Sequence, residues 1–237
     1  MKKSMICKML TFIVFHFFCL SMFAQTIENI SVDFERTHNE NNKIEITKGK
    51  IYFKFPDNLY IKVDTPVNQI LNFNKKKLEI FYPEYNQAFL ISNNNPMNIP
   101  FFQSFISVIK EDNGLSELGF KMTSNEFIDD ILITVWKPPK ELETIINKFI
   151  LTYNKNKLLN SRAQNSKGKF IVSTIYKNHF EYKDIYFPLE IIIKRNFENS
   201  VSVEKVTYTN LKFDFDFPEE IINFTIPENA EIKEVNW

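Results

Sequence analysis

From residue 28 onward the chain is a succession of short segments in which Ile, Val, Phe and Tyr recur at alternate positions, punctuated by Asn, Asp, Pro and Lys. Successive side chains of a strand point to opposite faces of a sheet, so these period-two rows predict half-buried strands joined by tight turns. The clearest lies in 201–216, where Leu211, Phe213 and Phe215 alternate with Lys212, Asp214 and Asp216. Similar patterns predict strands at 43–55, 59–64, 68–73, 77–82, 86–91, 130–136, 146–153, 157–163, 169–177 and 187–194. Within 43–55 the apolar row changes phase across Gly49, from Ile44 and Ile46 to Ile51, Phe53 and Phe55. One inserted residue flips the pleat, so a bulge or corner is expected there. An open sheet of this size curls. The expected fold is mainly β with few helices: an incomplete, half-open antiparallel β-barrel of about 11–12 strands with a helical lid.

One segment breaks the pattern. After Asn93-Asn94-Asn95-Pro96, the residues Phe101, Phe102, Phe105, Ile106 and Ile109 recur at helical intervals with Gln103, Ser104, Ser107 and Lys110 between them. This spacing predicts an amphipathic helix over 98–110, packed either as a permanent part of a core or as a hinged cover. Residues 111–128 have no clear period. Pro218 to Phe224 reads as a short helical turn, and Pro227 opens a polar tail.

The N-terminus reads differently again. Lys2, Lys3 and Lys8 precede an apolar run from Met9 to Leu20 that ends at Ala24. That run is shorter than the ~20 residues of a spanning helix, so 1–24 is expected to be a secretory signal peptide cleaved after Ala24, and 25–237 a single exported domain; Met22 departs from the small-x-small ending of a cleavage site, and an uncleaved anchor is the other reading. Phe17 and Phe18 stand before Cys19 where a lipoprotein signal has small residues. Cys7 and Cys19 are the only cysteines, so the expected mature domain relies on its core alone, without disulfides.

Composition excludes several chemistries. Four glycines, Gly49, Gly114, Gly119 and Gly168, are too scattered for a phosphate-binding loop or a dinucleotide fingerprint. Twenty-nine basic and 29 acidic side chains, without a sustained basic run, lack the electrostatic footprint of nucleic-acid binding. His38 and His179 stand alone, with no ligand spacing that suggests a metal, and there is no Gly-x-Ser-x-Gly elbow. Asp129-Asp130 and Glu219-Glu220 read as solvated turn charges. No metal, no cofactor and no enzymatic role is expected.

The stretch Gly49 to Pro56, the strand through Ile61 to Thr65-Pro66, Gln69 to Leu71, and Leu78 to Pro83 continuing to Gln87-Ala88 together resemble the periplasmic lipoprotein carrier family LolA. Phe187-Pro188 and the segment from Phe215 to Pro227 are similar to that family's last strands. The resemblance implies an apolar cavity that takes the acyl chains of a lipoprotein and ferries it across the periplasm toward the outer membrane. Each methylene withdrawn from water is worth ~0.8 kcal/mol, so such a cargo needs a removable apolar wall. The implied partners are an acylated lipoprotein or other lipid, an inner-membrane release complex and an outer-membrane acceptor. The residues expected to touch acyl chains are Ile51, Phe53, Phe55, Leu59, Ile61 and Val63 from the sheet and Phe101, Phe105 and Ile109 from the helix. Two features depart from the family pattern: Phe55 stands where carriers commonly have an Arg before Pro, and only Gln25 to Asp33 precede the first strand, which leaves no room for a leading helix. A lipid- or glycolipid-binding receptor or sensor of the same shape, which does not shuttle, is the other reading.

Overall fold

The computed structural model describes residues 27–74, 77–92, 100–183, 185–197 and 200–235. The expected signal peptide lies outside them. The described strands are β1 (Asn29–Glu40), β2 (Lys43–Lys54), β3 (Asn58–Thr65), β4 (Gln69–Asn74), β5 (Lys77–Tyr82), β6 (Gln87–Ser92), β7 (Lys121–Ile128), β8 (Ile131–Lys137), β9 (Lys148–Asn154), β10 (Lys157–Gln164), β11 (Phe170–Tyr182), β12 (Ile185–Phe197), β13 (Ser200–Phe213) and β14 (Glu231–Val235). The helices are α1 (Pro100–Ile109) and α2 (Glu219–Ile222), with 3-10 turns at Glu111–Gly114 and Lys140–Leu142.

All fourteen strands form one sheet in the order β14-β6-β5-β4-β3-β2-β1-β13-β12-β11-β10-β9-β8-β7. Every pairing is antiparallel except that of β14 with β6. The sheet is open, with β14 and β7 as its edges, as expected of a barrel that does not close. Two meanders, β1–β6 and β7–β13, meet at the long β1–β13 ladder. The connection from β6 to β7 must therefore cross from one side of the sheet to the other. It carries α1, and this topology sets the helix over the middle of one face.

On that face the alternate residues Ile30, Val32 and Phe34 of β1, Ile51 and Phe53 of β2, Leu59, Ile61 and Val63 of β3, and Val206 and Tyr208 of β13 are buried in one cluster with Phe105, Ile106 and Ile109 of α1. Each such side chain withdrawn from water is worth roughly 1.5–3 kcal/mol.

Gly49 sits where the β2–β3 register shifts, between Lys48 opposite Thr65 and Gly49 opposite Val63. The irregularity expected there is present, and the extra residue, Asp64, belongs to β3. The backbones approach so closely that a Cβ at Gly49 would lie 2.1 Å from the Lys62 carbonyl oxygen. The β1–β2 register runs without a shift, so Ile44 and Ile46 simply belong to the opposite, outer face and are exposed.

On the outer face the C-terminal segment folds back over β2 and β3. Phe217 packs edge-on against Tyr52, and Phe224 against Tyr60. Burial there pushes the Tyr60 hydroxyl up to about 12. The polar tail does not stay a tail: β14 pairs in parallel with β6, helped by Gln87 donating to Glu231 at 3.1 Å and by the Glu231 amide donating to the Asn86 carbonyl at 2.9 Å.

Candidate functional site

The centre of the inner face is filled by the protein's own rings. Phe105 is fully buried, with ring centroids 6.1 Å from Phe53, 5.9 Å from Phe187 and 6.2 Å from Tyr208. Phe55 is half-buried and meets Phe53 edge-on at 4.8 Å. The structure thus brings Ile51, Phe53, Leu59, Ile61, Val63 and Phe105 together in a packed core, with Phe55 against it. Phe101 lies in α1, and its side chain is outside those described. Ile109 borders a hollow of about 520 Å³ beside the C-terminal end of α1.

The more apolar hollow lies to one side of this core, over β9–β12, with a volume of about 230 Å³. Its floor is Phe149, Ala163, Val172 and Ile193, and its roof is Leu115, Leu118 and Phe120, which follow the 3-10 turn after α1, with Leu142 and Ile146 from the β8–β9 connection. Of the nine residues expected from the sequence, the eight whose side chains are described do not line it. The sequence signal for the roof is weak because Leu115-Ser116-Glu117-Leu118-Gly119-Phe120 has no sustained period. Its shape comes from a compact turn, in which the amides of Leu118 and Phe120 both donate to the Leu115 carbonyl.

Polar groups are set into the same wall. Tyr176 is buried, its hydroxyl lies 3.3 Å from Ser161 Oγ, and Asn113 Nδ2 donates to it at 3.5 Å. Desolvation raises the Tyr176 pKa above the usual phenol value, so it is neutral and can both donate and accept. Arg195 lines the hollow and donates to Glu204 Oε2 at 3.1 Å; Arg36 donates to the same oxygen at 3.0 Å. Glu204 is 1% exposed, so the inner face ends in a carboxylate shared by two guanidinium groups. Such sharing pairs a buried charge that would otherwise be very costly, through Oε2 alone, and leaves the buried Oε1 without a hydrogen-bond partner. Among the described residues no group of three His, Cys, Asp or Glu is placed to hold a metal ion. No described helix is long and apolar enough to cross a membrane.

This geometry offers binding: a small apolar hollow with a polar patch in its wall, roofed by the segment that follows α1 together with the β8–β9 connection. The chain matches the family model of the outer membrane lipoprotein carrier protein LolA over residues 25–183. No curated protein matches it. Among solved structures it is similar to a DUF1329 family protein from Desulfovibrio piger, with 16% identity, a TM-score of 0.59, and coverage of 84% of this chain and 91% of that one. It is similar also to a LolA superfamily protein from Nitrosomonas europaea, with 16% identity, a TM-score of 0.52, and coverage of 84% and 90%. At these identities the two structures speak for the fold alone.

Proposed function

The chain belongs to the LolA family of outer membrane lipoprotein carrier proteins, and from that membership we propose that it is a periplasmic carrier that binds the acyl chains of a lipoprotein and passes them toward the outer membrane. The observation that carries this reading is the apolar hollow of about 230 Å³ beneath the crossover that follows α1. A water-sized unit occupies roughly 30 Å³, so the closed hollow admits only part of one acyl chain. Loading a multiply acylated cargo therefore requires the α1 crossover to lift. Lifting it would uncover Ile51, Phe53, Phe55, Leu59, Ile61 and Val63 below, together with Phe101, Phe105 and Ile109 of α1 itself, as one continuous apolar trough. In the empty protein α1 closes on that trough with Phe105, and cargo and helix compete for the same surface. This competition supplies the release step, because a carrier that held its cargo without a competitor would not let go. Binding, without chemistry, accounts for the whole cycle. An inner-membrane release complex and an outer-membrane acceptor would load and empty it.

The test is extraction. Vesicles carrying a fluorescent triacylated lipopeptide are mixed with the protein, separated, and the protein fraction is offered to acceptor vesicles. The reading expects lipopeptide in the soluble fraction and then in the acceptor; absence of lipopeptide from the soluble fraction overturns it. The complete enclosure of Phe105 favours a second reading, a receptor or sensor that holds a lipid or glycolipid without shuttling it. Its signature is extraction without delivery.

A further inference from the structure

We propose that the hollow over β9–β12 selects an acyl chain that carries a hydroxyl group, which is read by the side chain of Asn113. The inference rests on the carrier reading and narrows its cargo.

Asn113 is 7% exposed and lines both the apolar hollow and the hollow beside it. Its Nδ2 reaches the Tyr176 hydroxyl, but its Oδ1 is buried with no hydrogen-bond partner. A buried amide oxygen without a donor is a large cost, and native proteins seldom leave one unmet. Turning the amide over gives Oδ1 to Tyr176 and leaves Nδ2 without a partner instead, so one polar end of a residue that lines the hollow is orphaned in either orientation. The backbone holds it there. Asp112 and Asn113 both have left-handed conformations, with φ of 46° and 60°, two successive non-glycine residues in a sparsely populated region. Strain of this kind persists where surrounding structure fixes it, and it accumulates at binding sites.

The polar surroundings are those of a group that both donates and accepts. The hydroxyls of Tyr176 and Ser161 stand together in the wall, with Thr174 beside them, while the remaining lining is largely aliphatic and aromatic. A carboxylate or ester oxygen could serve only the orientation of Asn113 that leaves Nδ2 unpaired, and an amide N–H only the one that leaves Oδ1 unpaired. A hydroxyl serves both, and it is compatible with the neutral Tyr176–Ser161 pair. An unsubstituted chain would enter the same space and leave the amide unpaired. A site built around a hydroxyl discriminates against the analogue that lacks it for that reason.

The experiment is a titration of the full mature protein with myristic acid and with its mono-hydroxylated derivatives, followed by displacement of a fluorescent fatty acid. At least one hydroxylated acid is expected to bind about tenfold more tightly than myristic acid. Asn113→Gly suits the left-handed backbone and removes the amide; in it the ratio of the two affinities is expected to fall to near one. Equal affinities in the unsubstituted protein, as expected if water alone meets Asn113, overturn the inference and leave the carrier reading intact. A preference that survives in Asn113→Gly overturns it as well. If no acid of either kind binds, the carrier reading falls and the inference with it.

Discussion

Gly49 is the residue at which the sheet tolerates least change. Its Cα packs against the Lys62 carbonyl, and an added methyl group would lie 2.9 Å from the Val63 Cα as well as overlapping the oxygen. Gly49→Ala is expected to lower stability by about 1–3 kcal/mol, read from chemical denaturation, because rigid backbone must move to admit the methyl. The phase change at Gly49 made an irregularity legible in the sequence. The close contact was not legible, since it depends on which strand lies alongside. His179 gives a test in pH. Burial lowers its pKa below the ordinary 6.5, although Nε2 donates to the Leu158 carbonyl at 2.8 Å, which opposes the shift. The folded state therefore takes up this proton less readily than the unfolded chain. Its stability contribution is complete above about pH 6.5 and is lost as pH falls through that value toward the folded pKa. His179→Gln is expected to flatten the dependence of the melting temperature on pH across this window; an unchanged slope would place the titration elsewhere.

At the scale of elements, eleven strands and α1 follow from periodicity because each has one face in the core and the other in water. Three strands do not, each for a physical reason. β7 is exposed along its whole length, on both faces, so no alternation exists to be read. β14 carries three charges in five residues and is held by the backbone of β6, which leaves no apolar signature. β1 starts at Asn29, earlier than expected: Ile30, Val32 and Phe34 alternate clearly, but Ile30 and Val32 fall within Gln25 to Asp33, the segment expected to precede the first strand. The helix was placed correctly, while its role depends on how firmly it is held. An aspartate at position 105 has no partner among Phe53, Phe187 and Tyr208, and burying it unpaired would cost more than helix docking returns. Phe105→Asp is expected to release α1 while the sheet stays folded: amide exchange speeds up in 100–120 and remains slow in β1, β2 and β13. Loss of protection throughout the sheet would mean that α1 is permanent core.

For the whole molecule, the connectivity decides where a ligand can go. β6 and β7 lie toward opposite edges, and of the chain between them α1 packs into the core at Phe105, Ile106 and Ile109, whereas Leu115, Leu118 and Phe120 leave a hollow over β9–β12. The apolar rows in the sequence marked the inner face without distinguishing its filled half from its vacant half, since Phe53 and Phe149 look alike until their neighbours are known. The central claim is that the vacant half is completed by hydrocarbon from another molecule. Photo-cross-linking tests it most directly: a lipopeptide with a diazirine in its acyl chain is bound, irradiated, and the modified residues are mapped by mass spectrometry. The account predicts adducts on Leu115, Leu118, Phe149, Val172, Tyr176 and Ile193. Adducts confined to the outer face, around Ile44 and Val203, or none above an unacylated control, would contradict it.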